Sequence, residues 1–502
     1  MSWRLALLFF ALGILTRLPF QTENLWAHDS VLYERAIDRF APLEQRPQPP
    51  GYLYYVVLIR AIDAFTGDAN RAMTLVSLFA GAAAIALLYL LAARLYDERT
   101  ARIGALFLLT AVTFWAYGGV AYPYTLLAAL STACALLLWR AAKPGSAGAS
   151  DRAVVAARTG PLVIASAVWG IAIGFRSDLA IFLAPVWLVS AWGASLSSAV
   201  IGALPVVIGA ALWYVASAFA DGGFAAFGEA LRAQGQFVDE RYSVFGTQGL
   251  GALLANGYEL ARFLGRGLYF LAPLVVVVPL SAAARHIELA DRRRMLFVLA
   301  WTLTPLLVYL PIHSGEYSYV FSMLPGLCII TARGAIALAR GIRMPRTLPW
   351  IVAGVVLANS AIFLVSDTPL SATDVLRKDR GTIEKFAYLQ TAQDLDRATI
   401  IAAYDYEVAQ RYNRVGVHNL SGYDPADPPF EAVFSTAVCG PDMAGIFPCS
   451  HVPILVVWDD LIRVGGSGWE TVTMPHGARL RIARNMGGVL VKVNGLEVTL
   501  AR

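Results

Sequence analysis

Charge is scarce in this sequence. Forty basic and 35 acidic residues leave only 15% of the 502 positions charged, while 57% are hydrophobic. That shortage excludes an ordinary soluble protein, and with a mean hydropathy of +0.58 it points to a chain crossing a bilayer many times. The small basic excess, formally +5, does not imply nucleic acid as a partner, because the lysines and arginines cluster between apolar runs, where membrane orientation accounts for them. A small-residue cleavage site is missing after the first apolar run, residues 3–20, which therefore reads as a retained helix and not a cleaved signal peptide. There is no convincing internal repeat, which argues against a transporter built from paired halves. Cysteine is limited to four residues. Cys134 and Cys328 lie inside apolar runs and read as small packing residues, leaving Cys439 and Cys449 as the one candidate disulfide pair.

What is abundant is apolar length. Runs near 3–20, 71–93, 103–117, 122–139, 160–174, 178–193, 199–220, 262–281, 295–311, 318–339 and 348–365 give about eleven expected spans. One set of short loops holds Arg94, Arg99 and Arg102, then Arg140, Lys143, Arg152 and Arg158, then Arg285 and Arg292 to Arg294, then Arg340, Arg343 and Arg346. The alternate short loops, 118–121, 175–177 and 312–317, hold only Arg176. By the positive-inside rule the N-terminus is cytoplasmic, and an odd number of spans places the C-terminus outside. The expectation is a multi-pass protein of the plasma (inner) membrane, with a membrane domain over 1–366, outside loops at 21–70 and 221–261, and an extracytoplasmic α/β domain over 367–502. In that last region ATIIAAYD, VGVHNL, HVPILVVWD and GVLVKVNG read as strands and 379–391 as helix. Cys439 and Cys449 bound its loop CGPDMAGIFPC.

The stretch that organises the chain is 26–55, WAHDSVLYERAIDRFAPLEQRPQPPGYLYY, directly after the first span. Leu32, Ala36, Ile37 and Phe40 recur at helical spacing with Glu34, Arg35, Asp38 and Arg39 on the other face, the pattern of a helix lying on the membrane surface. Asp29 opens that helix. It fits two compatible roles, an N-cap accepting backbone N–H bonds or an ionisable group with a function at the bilayer edge.

The order of these features resembles the GT-C class of membrane glycosyltransferases, in particular the protein O-mannosyltransferase and aminoarabinose-transferase superfamily. A first helix leads to an outside loop opening with tryptophan and aspartate. A tyrosine follows four residues on, and then a proline pair and a run of aromatics. The family's loop usually carries an Asp-Glu pair; here Asp29 matches the aspartate, Ser30 replaces the glutamate and Tyr33 keeps the tyrosine. The proline segment is matched by Pro49, Pro50 and Gly51, followed by Tyr52. The lysine that often precedes it is Gln48, with Arg46 a nearby substitute for its phosphate contact. VAYPYTLLAALSTACALLLW, containing Tyr122, resembles the family's fourth span; GFRSDLAIFLAPVWL and HSGEYSYVFSMLPGLCIITA resemble its later outer-face entries.

The resemblance implies a polytopic helical GT-C fold and an inverting transfer of a monosaccharide from a polyprenyl-phosphate donor to a glycan, lipid or protein acceptor. It casts Asp29 as the catalytic base. A phosphate held at the membrane surface needs a fixed cation there. Arg176 supplies one, and it also fits a headgroup anchor. His313, Glu316 and Tyr319, with Tyr317, read as a hydrogen-bonded wall of such a site. Together with Asp29 they also contain ligand types for a divalent metal, although the spacing matches no metal signature strongly. A transporter, or an inactive GT-C-like scaffold, is the competing reading.

Overall fold

The computed structural model describes residues 2–142, 151–283 and 292–392, and beyond them 395, 398–403, 405–413, 417–419, 454–460, 462–465, 467–484 and 497–499. It resolves into two compact units, Met1–Gln21 with Tyr33–Thr373, and Thr22–Leu32 with Asp374–Arg502. The helices run in chain order as α1 (Trp3–Arg17), α2 (His28–Asp38), α3 (Leu53–Thr66), α4 (Ala69–Leu95), α5 (Glu98–Leu109) and α6 (Val112–Tyr117). Next come α7 (Tyr124–Ala141), α8 (Asp151–Phe175), α9 (Leu179–Ala191), α10 (Leu196–Ala220), α11 (Phe224–Arg241) and α12 (Leu250–Leu268). The remainder are α13 (Ala272–Ala283), α14 (Arg292–Ile312), α15 (Leu324–Gly341), α16 (Leu348–Val365), α17 (Ala372–Thr391) and α18 (Tyr406–Tyr412).

The first unit is a polytopic helical membrane body. Among the described residues, 8 helices are long and apolar enough to cross a bilayer, and two shorter apolar helices, Thr159–Phe175 and Leu179–Ala191, stand beside them. Ten of the eleven expected runs overlap these, although the run 262–281 is divided between α12, which ends at Leu268, and α13, which starts at Ala272. The run 103–117 does not form one helix, because α5 ends at Leu109 and α6 restarts at Val112. The break is filled by Arg17, fully buried at the end of α1. Its Nη2 donates to the Leu109 carbonyl at 3.0 Å, and its guanidinium lies 5.7 and 5.8 Å from the rings of Phe114 and Trp115. A carbonyl freed at depth in a membrane needs such a donor. The chain then turns at Gly119 so close to Phe20 that a Cβ there would stand 2.2 Å from the Phe20 carbonyl oxygen.

Small residues set the helix crossings. Gly170 of α8 and Gly209 of α10 meet backbone to backbone, and a Cβ on Gly170 would fall 2.8 Å from the Pro205 oxygen. Turns carry their own caps. Gly67, at φ +64, closes α3, and the Asp68 carboxylate accepts the Arg71 amide at 2.9 Å to open α4. Cys134 and Cys328 are buried free thiols within α7 and α15, as their apolar surroundings suggested. Residues 221–261 contribute α11 and the start of α12.

The amphipathic helix expected on the membrane surface is α2, and its apolar face is covered by protein instead. Val31, Leu32, Tyr33 and Ala36 are fully buried, and Tyr33 packs edge-on against Tyr52 and Tyr55 at 5.7 and 5.0 Å. Hydrophobic spacing marks which face is buried and cannot say whether lipid or protein buries it.

In the second unit the strands are β1 (Thr399–Ala402), β2 (Val417–Asn419), β3 (Ile454–Val457), β4 (Arg463–Gly465), β5 (Trp469–Thr473), β6 (Arg479–Arg484) and β7 (Glu497–Thr499). One sheet has the order β2-β1-β3-β6-β5, parallel across β2-β1-β3 and antiparallel across β3-β6-β5; β4 and β7 pair parallel in a second. Ile400, Val456, Leu480, Ile482 and Trp458 form its core together with Leu389 of α17. Lys385 of α17 is buried and donates to the Trp458 carbonyl at 2.7 Å. Three of the expected strands are found, while GVLVKVNG, together with Cys439 and Cys449, lies outside the described residues.

Candidate functional site

Residues at several helix ends and loops of the first unit converge on Arg176. It follows the last turn of α8, where its amide donates to the Ala172 carbonyl at 3.0 Å, and its own carbonyl accepts the Leu179 amide at 3.2 Å as α9 begins. Two residues on, Asp178 accepts from Arg176 Nε with both carboxylate oxygens, at 3.0 and 2.9 Å. Tyr309 of α14 completes the clamp, its hydroxyl donating to Asp178 Oδ2 at 3.0 Å and lying 3.4 Å from Arg176 Nη2. Three rings wall the guanidinium: Tyr124 at 4.8 Å, Tyr319 at 5.3 Å and Tyr52 at 5.6 Å. Arg176 is 6% exposed, which is not the state of a headgroup anchor. Nη1 is buried with no hydrogen-bond partner among the described residues. Burial alone would lower its pKa, but Asp178, with Tyr52, Tyr309 and Tyr124, more than offsets that, so the charge is held.

Further aromatics extend the wall. Tyr122 stacks on Tyr124 at 5.1 Å, and Tyr309 stacks on Tyr319 at 4.8 Å. The Tyr117 hydroxyl donates to Glu316 Oε2 at 2.9 Å while its ring packs on Tyr122 and Tyr124. His313 sits between Tyr242 and Tyr319, at 4.4 and 5.8 Å, and burial lowers its pKa to about 4, so it is a neutral hydrogen-bonding group at neutral pH. Tyr33 enters through Tyr52. The structure thus joins Tyr33, Tyr52, Tyr122, Arg176, His313, Glu316 and Tyr319 of the expected set in one contact network.

Arg46 and Gln48 do not join it. Arg46 lies beside Glu44, at 3.8 Å between Nε and Oε2, a carboxylate that also binds Arg39. Gln48 makes no side-chain hydrogen bond among the described residues, and its carbonyl accepts the Gly51 amide at 3.0 Å. Nor do the expected metal-ligand types gather, for among the described residues no group of three His, Cys, Asp or Glu side chains could hold a metal ion.

Asp29 belongs to the second unit. It stands in the first turn of α2, 8% exposed, with the Ser30 amide donating to the Ala27 carbonyl at 3.0 Å beside it. The segment leading to it is held by α17 and α18. The Asp379 carboxylate accepts the Glu23 amide at 3.1 and 3.2 Å and the Asn24 amide at 2.9 Å, and the Tyr412 hydroxyl accepts the Leu25 amide at 3.1 Å. Lys378 lies over the Trp26 ring at 4.7 Å.

Sequence reasoning missed Asp178, Tyr124 and Tyr309. Asp178 had a usable signal: a carboxylate two residues from the only cation in the short outer loops is placed to neutralise it. Tyr124, two residues from Tyr122 across Pro123, had the same kind of signal. Tyr309 lies within a span and offered none.

The fold is that of the GT-C glycosyltransferases, polytopic membrane proteins. ArnT from Cupriavidus metallidurans in the apo state matches with a TM-score of 0.56 at 14% identity, over 95% of this chain and 97% of that one. The same protein bound to undecaprenyl phosphate matches at 0.53 and 15%, over 97% and 99%. The oligosaccharyltransferase of Archaeoglobus fulgidus in the apo form matches at 0.55 and 14%, over 90% of this chain and 69% of that one. No protein-family model and no curated protein sequence matches the chain.

Proposed function

We propose that this protein is an inverting glycosyltransferase that moves a monosaccharide from a polyprenyl-phosphate donor to an acceptor hydroxyl on the extracytoplasmic face of the plasma (inner) membrane. The acceptor class, glycan, lipid or protein, follows the resemblance to GT-C enzymes. The observation that carries the reading is Arg176: a buried, clamped guanidinium with one NH2 group uncommitted, set in a ring of tyrosines beside the end of an apolar helix. A preorganised cation of this kind stabilises charge as it develops on a departing phosphate. The fold neighbours support the lipid class, since ArnT has been solved with undecaprenyl phosphate and the A. fulgidus enzyme AglB with a dolichol-phosphate.

In the reaction the acceptor oxygen attacks the anomeric carbon as the bond from that carbon to the phosphate oxygen breaks. Asp29, as the resemblance implies, takes the hydroxyl proton, and polyprenyl phosphate leaves carrying a new charge for which Arg176 is the candidate partner. The single displacement inverts the anomeric configuration. Tyr52, Tyr122, Tyr124 and Tyr319 supply faces against which a sugar ring packs, and Glu316, His313 and Tyr33 line the approach. The tested quantity is the lipid that copurifies. Mass spectrometry of the wild-type protein is expected to find polyprenyl phosphate or its glycosylated form, depleted in Arg176→Ala. A wild-type preparation without such lipids, or equal retention by the variant, counts against the reading.

A further inference from the structure

Residues 374–502 supply no reacting group in the reaction proposed above, yet within the second unit they hold the segment 22–32 that carries the base. Two kinds of contact do this. The Arg380–Glu23 pair is bidentate, at 2.6 and 2.7 Å, but both side chains are exposed, and exposed pairs contribute little. Asp379 is different. It is 2% exposed, and its carboxylate accepts the consecutive amides of Glu23 and Asn24 and the Asn24 side-chain amide at 3.2 Å, while Asn24 Nδ2 also donates to the Asp379 carbonyl at 3.2 Å. Consecutive N–H groups converging on one buried carboxylate fix the backbone direction at 23–24, five residues before Asp29. Tyr412 of α18 fixes the next amide, that of Leu25.

We propose that Asp379 is a positioning residue for glycosyl transfer, anchoring through the Glu23 and Asn24 amides the segment whose end carries Asp29. Its role rests on the reading of Asp29 as the base, and it gives the C-terminal unit a function: α17 and α18 form a latch on the catalytic segment. Burial raises the pKa of Asp379, and the amide bonds from Glu23 and Asn24 oppose that rise, consistent with a carboxylate placed for those amides.

The test combines hydrogen exchange with kinetics on the full-length protein in lipid nanodiscs. In Asp379→Asn the amides of peptide 22–32 should exchange about 10-fold faster or more, with 454–457 and 479–484 unchanged. Transfer kcat should fall by about 10–10²-fold, with donor KM within about twofold, as expected when a reacting group is misplaced. Asn24→Ala and Tyr412→Phe, milder cuts in the same latch, should shift both readouts in the same direction by smaller factors. They decide the matter should Asp379→Asn expose the sheet to exchange throughout. Unchanged exchange at 22–32, or faster exchange with wild-type kcat, overturns the proposal. Failure of the base assignment gives a different result, full transfer by Asp29→Asn with the latch intact.

Discussion

Asp178 grips Arg176 through both carboxylate oxygens while accepting from Tyr309, so the cation is fixed in direction before any ligand arrives. The clamp takes up Nε and leaves Nη1 buried with no hydrogen-bond partner among the described residues, which fits the proposed phosphate contact.

The clamp is open to a direct test. Asp178→Asn should lower kcat/KM about 10–10²-fold through loss of guanidinium orientation. Arg176→Ala should cost about 10²-fold or more. Arg176→Lys should recover part of that loss, because it keeps the charge and gives up the planar fork. Steady-state kinetics with a polyprenyl-phosphate sugar checks the series; tighter donor binding in Asp178→Asn would mean that Asp178 competes with the phosphate instead of aiming its partner.

Much of this was legible in the sequence because membrane proteins are constrained twice, by span length and by loop charge. Arg176 stood out as the single basic residue of the short outer loops, and Tyr52, Tyr122 and Tyr319 as aromatics at span entries. The break at Leu109 was hidden, because the run 103–117 is apolar throughout and the residue that makes the break tolerable, Arg17, comes from another helix. Arg46 lies outside the contact network around Arg176, beside Glu44 two residues away, and charge alone does not reveal which partner a basic residue takes.

The proposed sidedness rests on the loop charges and is tested by labelling. Leu43 and Thr391 are exposed, and Arg343 is exposed on the opposite set of loops by the same count. In a background where Cys439 and Cys449 are Ser, cysteine at 43 and at 391 should react with an impermeant maleimide from outside intact cells, and cysteine at 343 only after permeabilisation. Protection of 43 or 391 in intact cells reverses the proposed orientation.

The second unit carries its own pH dependence. Asp459 is buried, its oxygens accept the Ala403 and Asp405 amides, and burial, with Asp405 adding to it, raises its pKa from 3.8 to about 7. A carboxyl whose folded pKa is raised contributes stability that is full below the unfolded value, near 4, and lost as pH rises through about 7. Thermal melts of the second unit should therefore shift to lower temperature between pH 5 and pH 8, and Asp459→Asn should flatten that slope. An equal slope in the variant assigns the dependence elsewhere.

The central claim is that Asp29 takes the acceptor proton, and one substitution separates this from its role in opening α2. Asp29 stands in the first turn of α2, inside the helix and not at its N-cap, so Asp29→Asn keeps the shape and gives up only about 0.3–1 kcal/mol of favourable interaction with the helix N-terminus. It removes the base, which typically contributes about 10²–10⁴-fold to rate. The measurement is transfer from a polyprenyl-phosphate sugar by purified Asp29→Asn in nanodiscs, alongside its melting temperature and its retained polyprenyl lipid. The account predicts a rate lowered by about 10²-fold or more with fold and lipid retention unchanged; transfer at the wild-type rate by a folded variant would contradict it.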